Sequence, residues 1–438
     1  MKTSLVWFRN DLRLEDNQTL TSAIKHASFV IPVYIIDPRQ FISTVYNFPK
    51  TGAVRKKFIH ECVIDLQSSL KKIGGDLLVI EGIPEEEIPK LATAFNVKKV
   101  YFQEEATTEE KAVEFKLEAR LEKLGIESKK FWTSTLVNKT DLPFSIPNVP
   151  DVFTKFRNKI EHETNYRTPI AAPTEITLPP DFNKIESTDL LQKTENLKQD
   201  ERSVLQFFGG ETHGKYRLKT YIWDDSSINK YKEMRNGLIG SSYSTKFSPW
   251  LATGCLSSSS IAHEVEKYEA TICKNESTYW IKFELLWRDF FRFTALRQGS
   301  KLFDQHGFNG LQATPGKSDI KLLQKWINAQ TGDAFVDANM RELATTGWMS
   351  NRGRQNAASY LIHDMQVNWL MGAAYFESQL IDYDPCSNYG NWAYIAGVGN
   401  DPRPSRKFNT VKQAQDYDPQ GAYRKLWSYG STLNYTYN

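Results

Sequence analysis

Cysteine is scarce in this chain. Cys62, Cys255, Cys273 and Cys386 are scattered and form no CxxC pair. That spacing signals neither a disulfide framework nor a zinc or other metal site, so reduced and buried thiols are expected. Long apolar runs are missing as well. Nothing approaches the ~18–20 consecutive apolar residues needed to cross a bilayer, and no membrane partner is expected. The opening MKTSLVWFRNDLRLEDN lacks the apolar core and small-residue cleavage site of a signal peptide, so the expected location is cytoplasmic. Charge of one sign is not in excess either. Fifty-five Lys+Arg against 52 Asp+Glu leave a net charge of +3, too little to announce nucleic-acid binding. No GxGxxG follows the first apolar run, which removes the dinucleotide-binding fingerprint.

What is present divides along the chain. A length of 438 residues exceeds one compact core and fits two domains. In residues 1–135, short β-branched or aromatic runs (SLVWF, SFVIPVYII, DLLVIEG, KKVYFQ) alternate with helical patterns such as GAVRKKFIHECVIDLQSSLKKIGG, which closes on Gly74 and Gly75. That alternation predicts an α/β domain with a doubly wound parallel sheet. Residues 136–200, with DLPFSIPNVP and TPIAAPTEITLPPDFNK, read as a proline-rich interdomain connector. Residues 201–438 carry apolar positions at helical spacing and predict an all-α domain. Nine of the eleven tryptophans lie there, which suits nucleic acid, a large aromatic cofactor, or only a Trp-rich core.

Two segments carry chemistry. In SSYSTKFSPWLATG, residues 241–254, hydroxyls of Ser244, Thr245 and Ser248 and the Lys246 ammonium precede a helix start. Ser248 is placed as N-cap and Pro249 at the first helical position. Such a group suits a pyrophosphate; an ordinary capped helix is the other reading. Between Thr346 and Lys407, Asn351, Arg352, Arg354, Asp382, Asp384, Asn388 and Trp392 gather within an apolar stretch. Buried polar groups without partners cost about 1–3 kcal/mol each, so these groups need one another or a ligand.

The chain resembles the photolyase/cryptochrome family, and within it the cryptochrome-DASH branch. The resemblance runs over nearly the whole length. It is carried by WFRNDLRLEDN, YKEMRNGLIGSSYSTKFSPWLATGCLS, TYWIKFELLWRDFFRF, VDANMRELATTGWMSNRGRQNAASYL and FESQLIDYDPCSNYGNWAYIAGVGNDPR. It implies a U-shaped FAD in the helical domain. Thr245, Lys246 and Ser248, beside Ser244, match its pyrophosphate contacts, and Tyr231 lines the same pocket. Arg354 and Asp382 match an ion pair beside the isoalloxazine. Asp384 falls on the flavin and ribose side, Asn388 opposite flavin N5, and Asn351 near the adenine and flavin. The activity implied is blue-light-driven electron donation from reduced FAD to a flipped-out cyclobutane pyrimidine dimer; photolyases are themselves an example of base flipping. Glu284 then bonds the dimer, Trp287 stacks on its bases, and Arg288 sits at a flanking phosphate. These three stand at i, i+3 and i+4 of one helix. Arg352 and Arg406 are candidate phosphate clamps.

Departures from the family pattern carry their own expectations. Gln355 and Tyr394 stand where duplex-specific photolyases carry methionine and tryptophan, and less stacking surface predicts a preference for single-stranded DNA. Trp392 and Trp369 match the proximal and middle members of the tryptophan chain that refills reduced flavin. The distal position is Gly316, so photoreduction is expected to slow or to reroute. Glu105 matches the glutamate that binds a methenyltetrahydrofolate antenna, although VYFQEEATTEE also reads as a solvated helix start. The ending SYGSTLNYTYN is shorter than usual for the branch and leaves no signalling tail.

A different class remains open: a blue-light photoreceptor that binds DNA, or RNA, and regulates without repair. Fold and FAD pocket would be shared, so Glu284, Trp287 and Asn388 at the lesion pocket decide, and they favour repair. No histidine matches the one that (6–4) photolyases use. A monomer is expected from the resemblance.

Overall fold

The structure is a computed structural model and describes residues 2–193, 197–310, 316–401 and 406–429. Strands β1 (Thr3–Phe8), β2 (Phe29–Ile36), β3 (Leu78–Glu81), β4 (Val97–Gln103) and β5 (Glu127–Phe131) form one sheet in the order β3-β2-β1-β4-β5. Every pairing is parallel. The four apolar runs became β1 to β4; β1 is buried along its whole length, as a strand covered on both faces must be. β5, ESKKF, was not legible as a strand. It lies at the sheet edge, where charged side chains guard the open hydrogen-bonding groups.

Helices α1 (Gln18–His26), α2 (Ala53–Lys72), α3 (Pro84–Ala94) and α4 (Thr108–Lys123) alternate with the strands. The order reverses between β1 and β4, the crevice where a lone doubly wound sheet binds its ligand. Here the helical domain fills that crevice. Glu105, just past β4, is buried and accepts from Asn10 Nδ2 and Gln103 Nε2, both at 2.9 Å, and from Arg292 Nη1 at 3.5 Å.

The connector is not featureless. It contains α5 (Phe153–Glu163), whose Phe153, Phe156 and Ile160 are buried. Their i, i+3, i+7 spacing was the available signal, hidden among flanking prolines.

Among the described residues no strand follows Phe131. α6 (Glu276–Gln298) begins at a capping box, Asn275 Oδ1 accepting from Thr278 N while Thr278 Oγ1 accepts from Asn275 N. Asp289 on α6 accepts from Leu136 N and Val137 N at 2.9 and 2.8 Å, tying the helix to the connector. α7 (Ala334–Thr346) and α8 (Asn351–Ser359) follow; the long pattern after Arg352 then breaks before α9 (Trp369–Gln379), with Gln366 at φ 55°. α10 (Pro385–Ala396) packs against both α6 and α9. Cys62, Cys255 and Cys386 are buried free thiols; Cys273 is only half-buried, a departure from the expected four buried ones. Among the described residues no helix is long and apolar enough to cross a membrane.

Candidate active site

A cavity of about 510 Å³ opens between α6, α8, α10 and the segment from Tyr231 to Leu251. It draws on residues more than 150 positions apart, because α10 lies against α6.

One end is built from the hydroxyl-rich segment. Tyr231, Ser244, Thr245, Lys246 and Ser248 line it. Lys246 is 2 % exposed and adopts a left-handed φ of 56°. Its Nζ donates to Ser241 O at 3.0 Å and lies over the Tyr243 ring, and burial holds the ammonium well below the usual lysine range. Ser248 is not the expected N-cap. It begins the five-residue helix Ser248–Ala252, is preceded by Phe247, and donates through Oγ to Asp382 Oδ2 at 2.7 Å. As a residue of the helix rather than its cap, Ser248 has its hydroxyl turned across the cavity to the Asp382 carboxylate instead of back to accept from the first-turn amides.

Asp382 Oδ2 also accepts from Arg354 Nη2 at 2.8 Å. Its Oδ1 is buried and has no protein partner, so it can accept from a donor on a ligand in the cavity. Asp384 caps α10, accepting from Ser387 N at 2.8 Å, and is ion-paired with Arg292. Burial opposes its charge, yet Arg292 and then Arg288 hold its carboxyl below the usual range. Asn388, one turn on, donates through Nδ2 to Ala373 O at 3.0 Å on α9. Asn351 and Trp392 complete this wall.

At the mouth, Glu284 pairs with Arg235 and accepts from Trp280 Nε1 at 3.1 Å. Burial pushes its carboxyl up; Arg235, then Trp280, pull it back. The Trp287 ring has one face covered by Phe153 of α5, centroids 3.8 Å apart and nearly parallel, and its edge meets Tyr394 at 6.2 Å. Tyr394 lies beneath the Arg406 guanidinium at 4.5 Å. Gln355 lines the same region and accepts from Arg352 Nη1 at 3.0 Å.

Three expected placements differ. Arg288 reaches the cavity wall but donates to Ser134 O and to Leu251 O at 3.1 Å. Burial lowers its guanidinium to about 10. These donors are committed to carbonyls at the domain junction rather than turned out to a phosphate. Glu105 belongs neither to an open cleft nor to a solvated helix start; it is a buried partner of Arg292. Arg352 does not line the cavity. It bonds Asn236 Oδ1 at 2.8 Å and Gln355, and covers the Tyr417 ring.

Trp392 is buried on the cavity wall and Trp369 is buried on α9. At Gly316 a Cβ would stand 2.5 Å from the Val367 carbonyl carbon, so no ring fits there on this backbone. Residues that the one-dimensional reading passed over include Arg235, Trp280, Phe153 and Arg292. Arg235 stands four residues after Tyr231, Trp280 four before Glu284 and Arg292 four after Arg288, so these three carried a helical-spacing signal from a predicted site residue and Phe153 did not.

Fold and cavity together define a photolyase-like flavoprotein. Residues 4–175 match the family described as DNA photolyase, and residues 280–428 match the FAD binding domain of DNA photolyase. The cryptochrome DASH of Gloeobacter violaceus is 49% identical over 427 residues, covering 97% of this chain and 85% of the relative. That of Danio rerio is 47% identical over 432 residues, covering 97% and 83%. In structure the chain is similar to a Synechocystis cryptochrome, with a TM-score of 0.94, 49% identity, and 98% and 88% of the two chains covered. A class III photolyase from Agrobacterium tumefaciens gives 0.84, 28% identity, and 98% and 86%. The chain belongs to the photolyase/cryptochrome family, in its cryptochrome-DASH branch.

Proposed function

We propose that this protein is a deoxyribodipyrimidine photo-lyase, repairing cyclobutane pyrimidine dimers in DNA under blue light and preferring single strands. The observation that carries the reading is that Glu284, Trp287 and Asn388 share one cavity with the Arg354–Asp382 pair. Bound reduced FAD supplies a photoexcited electron to the lesion. The chain's own residues do the rest.

Asp382 and Arg354 orient the flavin, while Ser244, Thr245, Lys246 and Ser248 hold its phosphates with Tyr231 beside them. Asn388, positioned by Ala373, is an amide that cannot titrate, so the hydrogen bond it offers is the same across the neutral range. Asp384 and Asn351 complete the cofactor seat. Glu284 bonds the dimer, and Trp287, which lines the cavity, stacks on a flipped base. Arg406, Gln355 and Tyr394 border the entry. The polar, compact pair Gln355 and Tyr394 contributes little burial energy toward drawing a lesion from a duplex, which supports the single-strand preference. A folate antenna remains part of the proposal, without Glu105 as its ligand.

The test is dimer loss from irradiated single- and double-stranded oligonucleotides under blue light with reductant. Repair of the single strand, abolished in Glu284→Ala, supports the enzyme. Absence of repair on either strand, with FAD reduced and DNA bound, assigns the protein instead to blue-light signalling on nucleic acid.

A further inference from the structure

The wall of the cavity leads outward through aromatic rings, and the route does not end where Gly316 lies. Trp392 packs edge-on against Gly372 of α9; a Cβ at Gly372 would stand 2.3 Å from Trp392 Cη2. The bare backbone there brings the cavity-wall indole to within one helical turn of Trp369. Tyr389, three residues before Trp392 on α10, stands against Trp369 with ring centroids 6.3 Å apart and edge-on. Tyr389 is half-buried and also packs against Phe303 at 4.7 Å.

The two polar ends differ in a way that matters for oxidation. Trp369 Nε1 donates to the Gln305 carbonyl at 3.0 Å. An amide carbonyl does not take a proton from an oxidised indole, which therefore stays a cation and a strong oxidant. Tyr389 donates its phenol to Glu377 Oε2 at 2.9 Å. A tyrosine gives up an electron readily only when its proton leaves at the same time, and a carboxylate at hydrogen-bond distance is the acceptor that makes this possible. Glu377 is itself nearly buried, with Lys50 Nζ 4.0 Å from Oε1 and Lys50 held in turn by Glu109. Burial first, then the Glu377 charge, keeps the phenol well above the usual tyrosine range, so the group stands protonated at neutral pH.

We propose that Tyr389, with Glu377 as proton acceptor, is the terminal electron donor that stands in for the ring missing at Gly316. The inference rests on reading the cavity as a flavin seat. The primary oxidant is the photoexcited oxidised flavin, and the hole it leaves on Trp392 moves to Trp369. An electron then passes from Tyr389 to oxidised Trp369, and the phenolic proton passes to Glu377 Oε2. Trp369 is restored, Tyr389 becomes a neutral radical, and Glu377 becomes a carboxylic acid. A soluble one-electron reductant such as a thiolate later refills Tyr389, which recovers its proton from Glu377. A second aromatic line leaves Trp392 through Trp326 at 6.1 Å, Tyr375 at 5.7 Å and Phe48 at 5.5 Å to Tyr46. It passes through a phenylalanine, which is far harder to oxidise than tryptophan or tyrosine.

The experiment is electron paramagnetic resonance and transient absorption on the full chain carrying oxidised FAD after a blue pulse, without exogenous reductant. The expected signal is a neutral tyrosyl radical. Tyr389→Phe keeps the ring packing and removes only the hydroxyl; it is expected to replace that signal with a tryptophanyl species decaying at least tenfold faster. Glu377→Gln is expected to slow tyrosyl formation at least tenfold, and deuterated water to slow it measurably in the unaltered protein. A tyrosyl signal persisting in Tyr389→Phe overturns the proposal, and one lost instead in Tyr46→Phe assigns the other line. Dimer repair after chemical reduction of the flavin reads the proposed function separately, so failure of one is distinguishable from failure of the other.

Discussion

Arg235 and Glu284 form an ion pair at the mouth of the cavity, and Trp280 Nε1 donates to the same carboxylate oxygen. Neither partner is fully buried, their side chains being 26% and 35% exposed. The pair is therefore screened, and its worth lies in placing charge rather than in stability.

Replacing Arg235 by Ala is expected to weaken binding to damaged and undamaged single strands alike. It should lower the slope of log affinity against log salt by about 0.7, the share of one phosphate contact on a single strand. Affinity measured across a salt series checks this; an unchanged slope would remove Arg235 from the nucleic-acid face.

Asp382 accepts from both Ser248 and Arg354 and keeps one buried oxygen without a protein partner. Asp382→Asn preserves shape but removes the charge that Arg354 needs. FAD affinity is expected to fall at least about tenfold, or roughly 1.4 kcal/mol. Flavin-to-protein stoichiometry after dialysis reads the change.

Gln355→Met with Tyr394→Trp adds apolar and stacking surface at the entry. A gain of about 1–2 kcal/mol is expected for dimers in duplex DNA, with little gain for single strands, whose bases are already unstacked. Tyr394→Trp retains a ring beneath Arg406. Repair rates on the two substrates converge if these residues set the preference.

Glu342 on α7 is fully buried, accepts from Tyr423 Oη at 2.6 Å and leaves Oε1 without a partner. Burial pushes its carboxyl up to about 8. A folded-state value above the unfolded value of about 4.3 means that the native state binds the extra proton. The stability Glu342 contributes is then complete below about pH 4 and is lost as pH rises toward 8. Glu342→Gln removes that slope. Relative to the unaltered chain, the variant is expected to gain on the order of 1–3 kcal/mol between pH 5 and pH 9. Urea midpoints at several pH values check the sign.

Periodicity made much of this molecule legible from its residues. The runs SLVWF, SFVIPVYII, DLLVIEG and KKVYFQ became adjacent parallel strands because their β-branched and aromatic residues are buried in cores on the two faces of the sheet. ESKKF did not announce itself, since an edge strand is covered on one side only and is selected for charge. α5 was obscured by flanking prolines, although Phe153 from that segment covers one face of Trp287. Residue types at short spacing, such as Glu284 with Trp287 or Asp384 with Asn388, pointed to the cavity, because neighbours on a helix share a face.

Where Arg288, Arg352 and Glu105 turn was not legible. A long cation or a carboxylate goes to whichever partner offers the best-desolvated hydrogen bonds, and those partners lie far away in sequence: Ser134 for Arg288, Asn236 for Arg352, Arg292 for Glu105.

By itself the sequence determined the alternation of strand and helix, the two-part architecture and the set of residue types at the site, which follow from local spacing and side-chain chemistry, while its long matching segments carried the resemblance to the family. Only the tertiary structure decided which charges pair inside and which reach the mouth, that the helical domain fills the switch point of the sheet, and that Tyr389 stands between Trp369 and Glu377. Each of these depends on distance between remote segments, which the packing of α6, α9 and α10 sets and no local pattern encodes.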